Sequence, residues 1–207
     1  MQPLIYTGGS LDTHAYLIPN AAQTAYLCFD APEGLAAELS QSGLRIEALL
    51  LTHGHSDHVW DAASVARDHG CPVYLHTADL PLLRRKLSHQ HVDVEDLPVP
   101  HGSTDWDVGG RRFTLFRIPG HTPGSVAFYE PELGRLFAGD VLFSAGIGRC
   151  KTPALREELL AGIARWLLPL PDATEIYAGH GPSTLLGSER GEEYFRLLTP
   201  AAETTAF

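Results

Sequence analysis

The sequence predicts an α/β fold whose functional residues follow the carboxyl ends of its strands. Residues 46–51, 59–69 and 71–75 alternate as apolar strand, alanine-rich helix and strand, which is typical of a βαβ unit with parallel strands. The first strand is followed by three histidines and an aspartate within residues 53–58. A chain of 207 residues, 44% of them hydrophobic, can bury one core. We therefore expect a single domain over residues 1–207.

The amino-terminal part predicts three short strands and a helix. The strands are expected at 4–6, 15–18 and 25–29, separated by turn signals at Gly8-Gly9 and Pro19-Asn20. The helix is expected at 31–42, with Gly43 in the position of a C-cap glycine. Asp30 stands at the end of the third strand, where it either hydrogen-bonds at the edge of a site or serves a turn or cap.

The rest of the chain predicts further helices and strands. The helices are expected at 77–88, 152–168 and 190–198. The strands are expected at 112–118, 126–129, 135–137 and 174–177. Two prolines indicate a loop at 89–102, and a turn is predicted at 107–110. Thr152 and Pro153 suit the cap and first turn of their helix, and the tail at about 199–207 is expected to be loose.

The segment 53–58 carries four potential metal ligands in six residues. His53 and His55 can converge on one cation, while Asp57 and His58 continue round the turn towards a second. Imidazole and carboxylate groups are the ligands that bind borderline cations such as Zn²⁺. A polar loop that happens to contain histidines is the alternative, but burying so many polar groups beside an apolar strand is costly without a metal.

Three more candidates follow other predicted strands. His121 lies on a tight loop between glycine and proline residues, Asp140 follows Gly139, and His180 follows Gly179. A carboxylate in the position of Asp140 can bridge two cations. The pattern of a strand followed by a ligand therefore occurs four times along the chain, and it predicts a metal centre where these strands end.

Composition and charge exclude several classes of function. The formal net charge of −10 argues against a general nucleic-acid binder, because such proteins use basic surfaces. No apolar run reaches the roughly 18 residues of a membrane span, and no basic segment precedes an apolar start. We therefore expect a cytoplasmic protein that binds no membrane. The three cysteines are too scattered for a disulfide framework or a thiolate zinc site.

Taken in order, these motifs resemble the metallo-β-lactamase superfamily over nearly the whole chain, and most of all its short glyoxalase II-like (hydroxyacylglutathione hydrolase-like) members. The resemblance implies a four-layer αββα sandwich of two mixed β-sheets. It assigns the first metal to His53, His55 and His121 and the second metal to Asp57, His58 and His180, with Asp140 as the bridge. A cysteine usually stands in place of Asp140 in the true β-lactamases, so the resemblance disfavours antibiotic hydrolysis.

The resemblance also predicts the reaction. Two divalent cations, zinc first and iron or manganese as alternatives, would hold a bridging hydroxide that attacks a thioester or ester carbonyl. Asp57 would orient this hydroxide as well as bind metal. Two cations against two carboxylates and one hydroxide leave about one positive charge, which favours a small anionic acyl thioester. Arg149 and Lys151 are the predicted substrate contacts.

Other functions remain open on the same residues. Persulfide dioxygenases resemble the same motifs but use a single iron and oxygen. A phosphodiesterase or nuclease on this fold is a second alternative, which the acidic composition weakens. A non-catalytic module with structural metals is a third, although structural zinc sites are normally closed by four protein ligands. The sequence leaves the acyl group, the thiol and the oligomeric state undetermined.

Overall fold

Two six-stranded mixed sheets form the centre of the protein. The computed structural model describes residues 2–87 and 90–192. The first sheet contains, in spatial order, β1 (Leu4–Gly8), β2 (Thr13–Pro19), β3 (Tyr26–Phe29), β4 (Ile46–Leu50), β5 (Val73–Leu75) and β6 (Val94–Asp96). The second contains β7 (Ser103–Val108), β8 (Arg111–Arg117), β9 (Val126–Glu130), β10 (Arg135–Gly139), β13 (Glu175–Ala178) and β14 (Thr184–Leu185). Between β10 and β13 the chain forms a small hairpin of β11 (Leu142–Phe143) and β12 (Gly146–Ile147).

Helices cover the outer faces of both sheets. They are α1 (Leu35–Ser42), α2 (Ala62–His69), α3 (Leu80–Lys86), α4 (Pro153–Trp166) and α5 (Leu186–Glu189). Leu35 of α1 and Val65 of α2 pack with the buried residue Leu49 of the first sheet. Leu159 and Ile163 of α4 pack in the same way on the second sheet. No helix in the described part of the chain is long and apolar enough to cross a membrane.

An aromatic core joins the two sheets. Phe29 of β3 stacks on Phe137 of β10 at a centroid distance of 3.9 Å and meets Phe113 and Phe128 edge to face. These rings are almost fully buried. Each large ring removes apolar surface from water, and the favoured ring geometries add to that stabilisation. The four layers are therefore helix, sheet, sheet and helix, which confirms the predicted αββα sandwich.

Several predicted element boundaries are wrong, mostly beside ligand-bearing loops. α2 begins at Ala62 rather than at residue 59, since residues 56–61 turn back on themselves and the amide of His58 donates to the carbonyl of His55. α1 begins at Leu35 rather than at residue 31, because the amide of Ala31 donates to the carbonyl of His58. In both places a backbone amide donates a hydrogen bond to the loop that carries the histidines and is not part of a helix.

Five strands in the described residues were not predicted, namely β6, β7, the hairpin strands β11 and β12, and the short edge strand β14. β6 interrupts the predicted loop at 89–102, and β7 precedes the turn at Gly109-Gly110, pairing with β8 along its whole length. The predicted helix at 77–88 consists of a 3₁₀ turn, Thr77–Asp79, followed by α3. Residues 190–192 are not helical, and the rest of the predicted helix at 190–198 and the tail at 199–207 lie outside the described residues.

Candidate metal centre

Four strand ends bring the predicted ligands together at one edge of the sandwich. β8 and β10 run in the same direction because both are antiparallel to β9, and β13 runs parallel to β10. The loop after β4 joins them from the first sheet, where the amide of Val126 donates to the carbonyl of Thr52 at 2.9 Å. The segment 53–58, His121, Asp140 and His180 thus meet although they are far apart in sequence.

The first ligand group consists of His53, His55, His121 and Asp140. His55 Nδ1 lies 3.1 Å from His53 Nε2 and 2.8 Å from His121 Nε2. His121 Nε2 lies 3.2 Å from Asp140 Oδ2. Three imidazole nitrogens and a carboxylate oxygen therefore point at a common centre, which is the arrangement that a shared cation stabilises.

The second ligand group consists of Asp57, His58 and His180. Asp57 Oδ2, His58 Nε2 and His180 Nε2 form a triangle in which each separation is 3.4 Å. Ligands about 2.1 Å from one tetrahedral cation lie about 3.4 Å from each other. The triangle therefore has the size that a tetrahedral metal site requires.

Asp140 faces both groups. Its Oδ2 lies 3.2 Å from His121 Nε2, while its Oδ1 lies 3.2 Å from His58 Nε2 and 3.6 Å from His180 Nε2. Oδ1 is buried and accepts no hydrogen bond of good geometry from the described residues. A buried carboxylate oxygen without a donor is expensive unless a cation satisfies it. The donor set and this unsatisfied oxygen fit a pair of metal ions.

Hydrogen bonds hold the Nδ1 atoms of three of the histidines, on the side of each ring that faces away from the ligand groups. His58 Nδ1 lies 2.8 Å from the buried carboxylate of Asp30, and His180 Nδ1 lies 3.0 Å from the carbonyl of Leu11. His121 Nδ1 lies 2.9 Å from the carbonyl of Arg149. Such partners select the ring tautomer and would orient the nitrogen that faces a bound cation.

Two hydroxyl groups complete this outer layer. The Thr13 hydroxyl donates to Asp57 Oδ2 at 2.9 Å, and the Thr52 hydroxyl donates to Asp30 Oδ2 at 2.8 Å and lies 3.1 Å from His53 Nδ1. Asp30 adopts a left-handed backbone with φ of 61°, which is strained for a residue other than glycine. The Thr52 amide, which donates to Asp30 Oδ1 at 2.7 Å, helps to hold this conformation.

The surrounding side chains shift the histidine pKa values in opposite directions at the two ligand groups. Burial and the neighbouring His58 lower the pKa of His53 well below its usual value, and burial and His121 lower that of His55. The hydrogen bond to Asp57 raises the pKa of His180. Burial would lower the pKa of His58, but the carboxylates of Asp30 and Asp140 raise it well above its usual value.

The surrounding groups favour the ionised form of both candidate carboxylates at neutral pH. Burial would raise the pKa of Asp57, but the hydrogen bond from His180 and the charge of His58 outweigh it and lower the pKa to about 2. For Asp140, His58 and the hydrogen bond from His121 outweigh burial and hold the pKa well below its ordinary range. Both groups can therefore accept hydrogen bonds or bind a cation, and neither is a proton donor near pH 7.

The structure brings together all seven predicted metal ligands, while the predicted substrate residues lie outside this cluster. The side chains of Arg149 and Lys151 are exposed, and the hydrogen bond between Arg149 and His121 involves the Arg149 carbonyl. Sequence reasoning missed Thr13 and Asp79, whose side chains contact ligand-bearing loops. Neither has a local sequence signal that separates it from an ordinary strand threonine or helix-start aspartate.

The sequence of this chain is similar to that of a known protein family and to those of individual known proteins. A profile of the metallo-beta-lactamase superfamily matches residues 12–191. The hydroxyacylglutathione hydrolase GloC of Haemophilus influenzae is 34% identical over 174 residues, which cover 79% of this chain and 82% of the relative.

Solved structures extend the similarity to the fold. The structure described as the BLEG-1 B3 metallo-beta-lactamase has a TM-score of 0.79 and 32% sequence identity, covering 94% of this chain and 99% of its own. TTHA1623 in a di-iron-bound form has a TM-score of 0.77 and 34% identity, covering 92% of this chain and 99% of its own. Since the first is described as a β-lactamase, the expectation that antibiotic hydrolysis is disfavoured stays a prediction.

Proposed function

The chain belongs to the metallo-β-lactamase superfamily, and we propose that it is a metal-dependent hydrolase that cleaves a small acyl thioester, or an ester, in the manner of glyoxalase II. The observation that carries this proposal is the position of Asp140, whose two carboxylate oxygens face two separate ligand groups. The name of the GloC relative supports a thioester substrate, because a hydroxyacylglutathione is a thioester.

Seven side chains would hold two divalent cations. The first would be bound by His53, His55 and His121 and the second by Asp57, His58 and His180, with Asp140 between them. Zinc is our first choice because imidazole-rich sites with carboxylates suit it. Iron and manganese suit the same ligands, and the di-iron form of TTHA1623 makes iron the principal alternative.

Two bound cations would supply a nucleophile from water at neutral pH and polarise the substrate carbonyl. Asp57 would orient the attacking water, because its carboxylate is ionised and its position is fixed by the Thr13 hydroxyl. The leaving group of a thioester is a thiolate, whose parent thiol has a pKa near 8.5 and needs little protonation. This chemistry therefore suits thioesters better than amides, whose nitrogen must be protonated to leave.

A further carboxylate, Asp30, changes the charge expected around the two cations. The count made from the sequence gives a surplus of about one positive charge at the metals. Asp30 adds a third carboxylate, which is buried and lies 2.8 Å from His58 Nδ1, and its negative charge would offset this surplus. A preference for an anionic substrate would then depend on exposed cations near the site, for which Arg149 and Lys151 are our candidates.

Substitution of one ligand tests the proposal. We expect His55→Ala to abolish thioester hydrolysis and to leave the fold largely intact, because His55 lies in a loop at the edge of the core. His91→Ala is the matched control, since it removes an imidazole that is exposed beside Asp93 and belongs to neither ligand group. Unchanged turnover in His55→Ala would contradict the proposed mechanism.

A substrate screen separates the alternatives. S-lactoylglutathione and acyl-carrier thioesters would be compared on protein purified without added metal, with metal content measured on the same sample. A single iron together with oxygen uptake on glutathione persulfide would favour a persulfide dioxygenase. Hydrolysis of a phosphodiester or a β-lactam without thioester hydrolysis would favour another hydrolase of this superfamily.

A further inference from the structure

Asp79 is a fully buried aspartate that belongs to neither ligand group. It ends the 3₁₀ turn that follows β5, and its exposed fraction is 0%. A carboxylate buried this deeply requires hydrogen-bond donors. The backbone provides two of them, from two different loops.

Both donors are glycine amides in loops that carry first-group ligands. Gly54 N donates to Asp79 Oδ2 at 2.8 Å, and Gly124 N donates to Asp79 Oδ1 at 2.7 Å. Gly54 lies between His53 and His55, and Gly124 lies three residues after His121. One carboxylate therefore connects the loops that hold all three histidines of the first group.

The two glycines make this approach possible. A Cβ atom at residue 54 would lie 2.7 Å from the carbonyl oxygen of Asp79, and one at residue 124 would lie 2.8 Å from its Cγ. These separations are shorter than any normal carbon contact. Asp79, Gly54 and Gly124 thus fit together as a unit in which a larger side chain has no room.

We propose that Asp79 is a positioning residue that sets the affinity of the first metal position without contacting the metal. This inference rests on the proposed function, since it assumes that His53, His55 and His121 bind a cation. Asp30 and Thr13, by contrast, contact His58 and Asp57 of the second group. The carboxylate of Asp79 acts on the first group because two charge-assisted bonds fix the distance between its loops.

Asp79→Asn tests this role with a minimal change in shape. The amide offers one acceptor oxygen, so one glycine amide must face an NH₂ group. We expect the zinc affinity of one position to fall by about 10- to 100-fold, as is usual when the partner of a ligand is altered. The measurement is zinc bound per chain at fixed free zinc, over a series of zinc buffers.

Two further variants control for a general loss of stability. Asp96→Asn makes the same chemical change at an exposed aspartate. Asp96 accepts hydrogen bonds from the amide and hydroxyl of Thr77, which lies in the same 3₁₀ turn as Asp79. We expect it to bind zinc like the wild type. Gly124→Ala keeps every charge but places a Cβ atom against the carboxylate of Asp79. It should therefore reproduce the loss of zinc affinity expected for Asp79→Asn. If Asp79→Asn does not fold, Gly124→Ala tests the positioning role in its place.

A double variant shows which position is affected. At a free zinc concentration that saturates both wild-type positions, His180→Ala should retain one zinc, held by the first group. Over the zinc buffer series, adding Asp79→Asn to His180→Ala should lower the affinity for that zinc by the same roughly 10- to 100-fold, whereas adding it to His55→Ala should leave the affinity for the second-group zinc unchanged.

The outcomes distinguish this inference from the function on which it rests. Selective weakening of the first position in Asp79→Asn and Gly124→Ala supports the positioning role. Equal weakening of both positions, or none, in wild-type-like folded variants overturns it and leaves the proposed function standing. A wild-type protein that binds no zinc, iron or manganese overturns both.

Discussion

The two ligand groups lie side by side but are built differently. The second group takes Asp57 and His58 from one loop and adds His180 from another. The first group collects its ligands from loops after β4, β8 and β10, which belong to both sheets. His180 follows β13 of the second sheet, so both groups join the two sheets, but the second group takes two of its three ligands from a single loop.

Their electrostatics differ in the same way. Burial and neighbouring imidazoles lower the pKa values of His53 and His55, whereas carboxylates raise those of His58 and His180. One fold edge thus offers an imidazole-rich position and a more acidic one. Because donor type governs metal preference, the two positions are expected to differ in affinity and in how they respond to mutation.

Among the substitutions that keep the shape of the side chain, the largest effect is expected at Asp140, the residue that the groups share. Asp140→Asn removes a charge that faces both positions, so both metals should be weakened and hydrolysis should fall by more than about 100-fold, beyond the usual effect of changing a ligand's partner. The measurements are zinc content and kcat/KM on the same sample. Two tightly bound zinc ions in this variant would contradict the shared role of Asp140, because neither position would then depend on its charge.

A one-sided effect is expected next. Asp57→Asn weakens a ligand of the second group and leaves the first group complete, so one zinc per chain should remain while hydrolysis falls by about 100-fold. The falling kcat, rather than a rising KM, would reflect the role of Asp57 in orienting water. Loss of both metals would mean that the positions are not independent.

A partner of the second group should have a smaller effect. Thr13→Val removes the hydroxyl that donates to Asp57 while keeping the side-chain shape, so we expect second-position affinity to fall by about 10-fold. Thr114→Val, which removes a hydroxyl bonded to Asp105, is the matched control. Equal zinc affinity in Thr13→Val and the control would show that Thr13 does not support the site.

The smallest effect is expected at the surface. Arg149 and Lys151 are exposed, and an exposed charge pair contributes about 0.2–1 kcal/mol, so each alanine variant should raise KM for an anionic thioester by no more than about 5-fold. The kcat value should not change. A neutral thioester gives the control, and an equal change in its KM would exclude a charge effect.

The sequence predicted the candidate ligands but not the residues that hydrogen-bond to them or to their loops. The seven candidate ligands could be found because each lies in the segment after an apolar strand and most lie beside glycine or proline, and the resemblance to the superfamily supplied their division between two metals. Thr13 and Asp79 could not be predicted, because their partners lie 44 residues away in one case and 25 and 45 in the other. Only the packing of the two sheets brings these groups together.

The fold shows the same limit. The core strands were predicted from their apolar runs, but β7 contains two aspartates and alternates exposed and half-buried residues, so it forms a strand only by pairing with β8. The predicted start of α2 at residue 59 was wrong because residues 56–61 form the turns that carry Asp57 and His58. The helix therefore begins only at Ala62. The single-domain organisation and the cytoplasmic location stay predictions.

The central claim is that two cations held by these seven side chains make the protein a hydrolase. The most direct measurement is a titration of zinc into chelator-treated protein, following thioester hydrolysis and bound zinc together. We expect activity to be absent without metal and to reach its plateau at two zinc ions per chain. Full activity without metal, or a chain that binds no zinc, iron or manganese, would contradict it.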